Sequence, residues 1–391
     1  MRTFIRHTVC AVALVGATVA AAAAAGPALA VTAASQSPAA TTFTDGLNAV
    51  AVSSGSNAWA VGTYFHGGAY LTLTEHWNGS HWTVVKSPSP SAPHSALEGV
   101  AVHSSQAWAV GYTSASTTRT QTLIEHWNGT AWKRVASPNP GGAGTKDFLN
   151  AVAYPSKSQA WAVGEYATST SSTAVIDRWN GTAWKAVRSP KVPNSSLTGI
   201  AAVSPSNAWA VGDYVSGSQA RTLIEHWNGT AWKVVPSPNA STTDNQLQGV
   251  SASSASNAWA VGLFNNGSTL QTLTLHWNGK VWQDVNSPDV GGGSATNSLR
   301  GVTMVSADNV WAVGYDVGAG VAQCLVMHWI GGIWEVVHSA SPGISANLLA
   351  VGSASRSAPW AVGAHATSEG QNTLIERRTA SGWQPVASPN K

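Results

Sequence analysis

Hydrophobic and polar residues alternate with a period of two over short stretches of residues 46–391. Four such stretches in one representative region are 97–102, 107–111, 122–127 and 132–136. Each contains β-branched or aromatic residues and is bounded by Gly, Asn, Ser or Pro, which is typical of strands separated by turns. No segment of ten or more residues in this region has a helical period. The pattern therefore predicts strands, here lettered a to d in chain order.

The same four-strand pattern recurs seven times, at steps of about fifty residues. Strand b of each copy carries the motif Trp-Ala-Val-Gly, which begins at Trp59, Trp108, Trp161, Trp209, Trp259, Trp311 and Trp360. A second Trp ends strand c and a third opens strand d, with Arg378 in the second place of the last copy. Four-stranded units repeated in this way predict an all-β fold, a seven-bladed β-propeller of four-stranded blades.

The side chains also predict how the blades are arranged. Strand a is small and uncharged, as in 199–203, which favours the crowded position next to the axis. In strand b, Trp209 and Val211 face one way while Ala210 and Gly212 face the other, so the large side of one blade can pack on the small side of the next. All seven blades can then be complete without exchanging a strand. If strand a were outermost instead, the first strand would complete blade seven.

The repeat resembles kelch-type propellers and the central propeller of galactose oxidase, because a Trp opens strand d. It departs from kelch repeats at strand b, where Val110-Gly111 stands in place of a Gly-Gly pair. The Trp-Ala-Val-Gly and Trp-Asn-Gly-x-x-Trp motifs are more similar to secreted bacterial repeat proteins. The resemblance covers residues 46–391 and implies the fold. It does not imply the chemistry of galactose oxidase. The copper site of that enzyme needs a Cys–Tyr cross-link and His ligands, and the sequence around Cys324 contains no matching cluster.

The first 30 residues are typical of a secretory signal peptide. Arg2 and Arg6 precede an apolar stretch, and Ala28-Leu29-Ala30 offers a small-x-small cleavage site. A membrane anchor is the alternative, although the apolar stretch is short and rich in Ala. We therefore expect a secreted, extracellular protein with a signal peptide at 1–30, a flexible leader at 31–45 and the propeller at 46–391. We expect no membrane span after the signal is removed.

Composition narrows the function further. Hydrophobic residues make up 43% of the chain, which is enough for a core, whereas charged residues make up only 9% and the formal net charge is +3. So few charges argue against a protein that binds nucleic acid through its phosphates. No residue set predicts a metal or cofactor, and we expect a monomer.

Strand c carries a regular polar pair in most copies. Its histidines are His76, His126, His226, His276 and His328, and the acids before this position are Glu75, Glu125, Asp177, Glu225 and Glu376. One histidine per blade, far from the axis, cannot converge on a metal ion, so we expect a structural role. We likewise expect the acids to pair with Lys or Arg on a sheet surface rather than to hydrolyse glycosides.

The b–c and d–a connections emerge on one face of a propeller, and they are the variable ones. The residues just after Trp-Ala-Val-Gly lie at the mouth of that face, and they are the candidate ligand-binding residues: Tyr64, Tyr112, Glu165, Tyr166, Asp213, Tyr214, Phe264, Tyr315 and Asp316. Aromatic and acidic side chains together suit a sugar or a peptide. The alternative is that the aromatic residues cap the blade core.

The sequence thus favours a secreted, non-enzymatic binding or interaction propeller. Its ligand would be a glycan or a cell-surface protein that meets the face made by the b–c and d–a loops. Two other functions stay open: an extracellular enzyme that acts on polysaccharide at the axial mouth, and an envelope-associated structural scaffold. No catalytic residue is assigned.

Overall fold

The computed structural model describes residues 43–90, 94–116, 119–354 and 358–391. The predicted signal peptide and nearly all of the predicted leader lie outside these residues. The described chain forms strands and one 3₁₀ turn, Gly292–Ser294. The strands are β1 (Phe43–Thr44), β2 (Gly46–Ser54), β3 (Asn57–His66), β4 (Ala69–Trp77), β5 (Trp82–Val84), β6 (His94–His103), β7 (Gln106–Ser116), β8 (Arg119–Trp127), β9 (Trp132–Val135), β10 (Lys146–Ser156), β11 (Gln159–Ala167), β12 (Ser172–Trp179), β13 (Trp184–Val187), β14 (Ser195–Ser204), β15 (Asn207–Ser216), β16 (Gln219–Trp227), β17 (Trp232–Val234), β18 (Asn245–Ser254), β19 (Asn257–Asn265), β20 (Leu270–Trp277), β21 (Trp282–Asp284), β22 (Thr296–Ser306), β23 (Asn309–Gly318), β24 (Val321–Ile330), β25 (Ile333–Val337), β26 (Ser345–Gly352), β27 (Trp360–Thr367), β28 (Gly370–Thr379) and β29 (Gly382–Pro385).

Strands β2 to β29 pair in sequence as antiparallel sets of four, from β2–β5 to β26–β29. We number these sets as blades 1 to 7 and keep the letters a to d for their strands. Strand a of each blade packs against strand a of the next, and β26 of blade 7 packs against β2 of blade 1. The sheets therefore close into a ring, which confirms the predicted all-β class and the propeller architecture.

Strand a is the innermost strand. Residues from β2, β6, β10, β14, β18, β22 and β26 line one cavity of about 340 Å³ on the axis, which we call the central channel. This placement confirms the prediction that strand a is the innermost strand, although Glu98 and Arg300 of strand a are charged and also line the channel. It also puts the short strand d of every blade at the rim.

The hydrophobic core lies between the blades. Trp209 and Val211 of blade 4 pack with Leu247, Ala258 and Ala260 of blade 5. The ring of Trp209 lies 4.9 Å from that of Trp277 and 5.2 Å from that of Trp282, both in blade 5. Similar clusters occupy the other interfaces, including the one between blades 7 and 1. The expected packing of a large side on a small side is therefore confirmed.

Blade 7 and blade 1 join without a covalent connection. β1 pairs in parallel with β28 at Gly370 and Gln371, and the backbone N–H of Lys391 donates to Asp45 Oδ2 at 2.8 Å. Between blades 5 and 6 the matching bond lies within one continuous segment, where the N–H of Val290, in the d–a connection, donates to Oδ1 of Asn297 in β22. Residues 43–45, expected to belong to a flexible leader, therefore take the place of a loop that secures neighbouring blades.

A β-bulge interrupts strand a at the same place in each blade. In β14 the pairing with β15 shifts between Leu197 and Gly199, so Thr198 is an extra residue. The bulge brings the Ser196 carbonyl against the Gly212 of Trp-Ala-Val-Gly, where a Cβ atom would collide with that oxygen. The motif thus ends in glycine because the bulge leaves no space for a side chain.

Candidate functional site: the central channel

The bulge residues of the seven blades form a ring in the wall of the central channel. We call this set the channel ring: Asn48, Glu98, Asn150, Thr198, Gln248, Arg300 and Leu349. In every blade the residue before it is Leu and the residue after it is Ala or Gly. A bulge turns one side chain away from the regular alternation of the strand. The seven blades therefore have the same backbone conformation at the bulge but present different side chains to the channel.

Several side chains of the channel ring are held by the neighbouring blade. Asn48 Nδ2 donates to the Leu97 carbonyl at 3.0 Å, and Asn150 Nδ2 donates to the Leu197 carbonyl at 2.8 Å. Thr198 Oγ1 donates to the Leu247 carbonyl at 2.7 Å. These bonds fix the rotamers of the channel wall and join successive blades near the axis.

Arg300 is also held in position. Its Nη2 donates to the Tyr315 hydroxyl at 2.8 Å and its Nη1 lies 3.4 Å from Gln248 Oε1. The guanidinium carbon lies 5.3 Å from the centre of the Tyr315 ring, within the range of a cation–π contact. The wall of blade 6 therefore carries an oriented cation.

The opposite side of the channel differs in character. Tyr112 of blade 2 meets Phe148 of blade 3 edge to face, with ring centres 5.1 Å apart. Both line the channel near Glu98, also of blade 2. Glu98 and Arg300 are the charged residues of the channel lining, and they lie on blades well separated around the ring. The channel is thus acidic and aromatic on one side and basic on the other.

The structure divides the predicted site residues into groups. Tyr112 lines the channel, and Tyr315 reaches it through Arg300. The other aromatic residues pack against the hydrophobic clusters between blades, as the alternative interpretation expects: Tyr64, Tyr166, Tyr214 and Phe264. No single surface brings the nine residues together.

The three predicted acids are buried. Glu165 is 2% exposed, Asp213 is 3% exposed and Asp316 is 8% exposed. In strand b they lie opposite Phe148, Ser196 and Asn297, near the beginning of strand a. Burial raises the pKa of Asp316 above the usual value for an aspartate.

The strand c histidines stack on the strand b tryptophan of their own blade. The ring centres of Trp209 and His226 lie 4.1 Å apart, and those of Trp311 and His328 lie 3.9 Å apart. Where arginine replaces histidine, Arg178 lies 5.2 Å from the Trp161 ring. Burial lowers the pKa of these histidines. Their contacts are those of a repeated structural position.

Within the described ranges, no group of three or more His, Cys, Asp or Glu side chains is placed to hold a metal.

The strand c acids do not lie on a sheet surface, and that expectation is wrong. They are fully buried because the preceding blade covers strand c. Glu125 accepts a hydrogen bond from Ser87 Oγ at 2.7 Å, and Glu376 accepts one from Ser339 Oγ at 2.7 Å. Burial raises the pKa of Glu125 to about 7, which the Ser87 hydrogen bond opposes. Four of the five acids thus join neighbouring blades through a serine hydroxyl: Glu75, Glu125, Glu225 and Glu376.

Sequence reasoning missed the channel ring. Its signal was present: the residue between Leu and Ala or Gly of strand a varies from Glu98 to Arg300 to Leu349, while its neighbours repeat. A variable polar residue inside a constant, small strand is a sign of a side chain that does not serve the shared packing. The Tyr and Phe residues that follow Trp-Ala-Val-Gly in strand b favoured a binding site at the mouth of the loop face instead.

Comparison with known proteins supports the fold. No family model and no curated protein matches the chain. Among solved structures, it is similar to YCF48 bound to a D1 peptide, with a TM-score of 0.51 and 16% identity, covering 90% of this chain and 98% of that one. It is also similar to the β-propeller domain of the trilobed protease from Pyrococcus furiosus, with a TM-score of 0.51 and 7% identity, covering 88% and 98%.

A further neighbour is an ulvan lyase, a polysaccharide lyase, with a TM-score of 0.48 and 8% identity, covering 86% of this chain and 91% of that one. The similarity to YCF48 and to the trilobed protease propeller shows the β-propeller fold and nothing about function. In the described part of the chain, no helix has the length and apolar character needed to cross a membrane.

Proposed function

We propose that this protein is a secreted, non-enzymatic, seven-bladed β-propeller that binds a polar ligand in the mouth of its central channel. The ligand is a glycan or an extended segment of a cell-surface protein. The channel ring is the observation that carries the proposal. A repeated side chain would suffice for packing, whereas unlike side chains make an asymmetric surface that can bind one ligand in one orientation.

The chemistry of the channel suits such a ligand. A cavity of about 340 Å³ is large enough for a sugar unit or a short peptide segment. Asn48, Asn150 and Gln248 bring amide groups, and Arg300 brings a planar guanidinium suited to carboxylates. The Tyr112 ring, supported edge to face by the buried ring of Phe148, offers an apolar face against which a sugar or a side chain can pack.

Two further observations support the proposal. YCF48, a propeller of similar fold, was solved with a peptide bound, so a peptide ligand is compatible with this architecture. The signal-like pattern of residues 1–30 supports secretion, which would place the channel outside the cell.

Binding arrays of glycans and of short peptides test the proposal. We expect hits whose affinity falls about tenfold in Arg300→Gln and in Glu98→Gln, because each removes a charged group from the channel wall. Arg221→Gln is the matched control, since Arg221 bonds the Ser241 and Thr242 carbonyls outside the channel lining. Unchanged affinity in both channel variants contradicts the proposal. Turnover of a bound polysaccharide that is lost in Glu98→Gln would replace it with an enzymatic function.

A further inference from the structure

Exposed charges are divided between two parts of the ring. In the described residues of blades 1–4, no aspartate or glutamate is exposed, because these side chains are buried or half-buried. Exposed lysines and arginines occur on all four of these blades. The exposed acids lie on blades 5–7, and they are Asp284, Asp308, Glu335 and Glu369.

The cations repeat along the outer edge of blades 2–4. Lys133, Lys185 and Lys233 follow the tryptophan that opens strand d, and they occupy equivalent places opposite His126, Arg178 and His226. Arg134 and Arg188 are exposed on the same edge. We call these five residues the basic rim: Lys133, Arg134, Lys185, Arg188 and Lys233. The equivalent residues of blades 5–7 are Gln283, Glu335 and Gln384, so only one part of the circumference is basic.

The shape of the rim restricts the partner. Successive blades of a seven-bladed ring are turned by roughly one seventh of a turn, so the three equivalent lysines point in diverging directions. A flat membrane surface would meet one blade at a time, whereas a flexible linear polymer can follow the curve. Double-stranded DNA is stiff over roughly 150 base pairs and does not follow so tight a curve without a large bending cost.

The chemistry of the rim separates polysaccharide from single-stranded nucleic acid. Proteins that hold single strands stack bases on exposed aromatic side chains. Here the tryptophan beside each lysine is buried: Trp132 is 4% exposed, Trp184 is 6% exposed and Trp232 is 5% exposed. The rim therefore offers spaced charges without stacking platforms, which suits the carboxylates of an acidic polysaccharide.

We propose that the basic rim binds a flexible acidic polysaccharide by charge complementarity. The charges of blades 2–4 are solvent-exposed, so the contacts are individually weak, additive along the polymer and screened by salt. This surface is separate from the central channel, and the proposal does not depend on the function proposed for the channel.

The test uses polygalacturonate as the probe, with the intact mature protein at low ionic strength. The triple variant Lys133→Gln, Lys185→Gln, Lys233→Gln should bind it about tenfold more weakly, since each exposed ion pair contributes up to a few-fold. Its melting temperature should stay within about one degree of the native value, because the three side chains are exposed. Lys280→Gln, an exposed lysine on the acidic side of the ring, is the matched control and should bind as the native protein does.

Several outcomes overturn the proposal. They are no binding of polygalacturonate, equal binding by the triple variant, equal binding of neutral dextran, or tighter binding of phosphatidylglycerol vesicles or single-stranded DNA than of polygalacturonate. Binding that persists in the triple variant and is lost in Arg300→Gln would place the polysaccharide in the channel instead. Failure of this proposal is therefore distinguishable from failure of the channel proposal.

Discussion

The hydroxyl of Ser388 in blade 7 donates to the carboxyl group of Glu75 in blade 1 at 3.0 Å. The residues are 313 positions apart in the chain, and they face each other because the ring closes at this interface. Glu75 is fully buried. A buried carboxyl group thus lies at the interface between blade 7 and blade 1.

Stability should fall as pH rises. Burial raises the pKa of Glu75 to about 8, with the Ser388 hydrogen bond opposing the shift and the Asp45 charge adding to it. The folded protein therefore binds this proton more tightly than the unfolded chain, whose glutamate pKa lies near 4.5. This contribution is complete below that value and is lost as pH rises toward 8. The strand c histidines, whose pKa burial lowers from 6.5, act in the opposite sense at lower pH. The decrease in melting temperature should therefore be measured from pH 7 to pH 8, above the range in which they titrate.

Glu75→Gln isolates this effect, because glutamine keeps an acceptor for Ser388 and has no proton to lose. The variant should show a shallower decrease of melting temperature over the same pH range. Glu125 and Glu225, whose pKa values burial raises to about 7, remain and retain part of the dependence. A pH profile parallel to that of the native protein would show that Glu75 does not titrate in this range.

Gly314→Ala should destabilise the protein severely. A Cβ at this position would collide with the Ser298 carbonyl of the bulged strand a. Backbone cannot move aside as a flexible side chain can, so we expect a loss of about 2–4 kcal/mol in the free energy of unfolding, or failure to fold. Denaturant titration measures it. Gly318→Ala is the control in the same strand, where a Cβ meets nothing within 4 Å, and it should be nearly neutral.

Trp209→Ala should cost about 3–5 kcal/mol, because it empties a fully buried interface between blades 4 and 5. Trp209→Phe keeps an aromatic ring and should cost less. Chemical denaturation of both variants checks the order. A melting temperature of Trp209→Ala within one degree of the native value would contradict the role of these tryptophans in joining blades.

Ring closure should depend on Asp45 and Lys391. Deleting Lys391 removes the backbone N–H that donates a hydrogen bond to Asp45 Oδ2. A buried acceptor without a donor lowers the free energy of unfolding by about 1–3 kcal/mol. In Asp45→Ala the same deletion should cost less, since the acceptor is absent and only the contact of Lys391 with the Tyr64 ring is lost. The unfolding free energies of the native protein, the Lys391 deletion, Asp45→Ala and the combined variant form a double-mutant cycle. Strict additivity would mean that the contact contributes nothing to closure.

Much of the fold was predictable from the sequence, because the same pattern of large and small side chains recurs in all seven copies of the repeat. Trp209 and Val211 alternate with Ala210 and Gly212 as two faces of one strand, and the structure packs them in that way. The placement of strand a at the axis followed from its small residues. In the short Asn-Gly connections between strands c and d the glycine takes a positive φ, as at Gly129.

The candidate site was less predictable because it depends on contacts between blades. The bulge at Thr198 results from the register of β14 against β15, which the sequence of either strand does not reveal. Glu125 looked like a surface acid because the sequence does not show that Ser87 of the preceding blade covers it. Tyr166 and Tyr214 were predicted to lie at the mouth of the loop face, whereas in the structure they pack against the hydrophobic clusters between blades.

The most direct test of the channel as a binding site is a crystal structure of the protein with a ligand from the arrays. The account predicts ligand density in the channel mouth, against Arg300 and between Tyr112 and the amides of the channel ring. Ligand density confined to the outer blades or to the opposite face, with an empty channel, would contradict it.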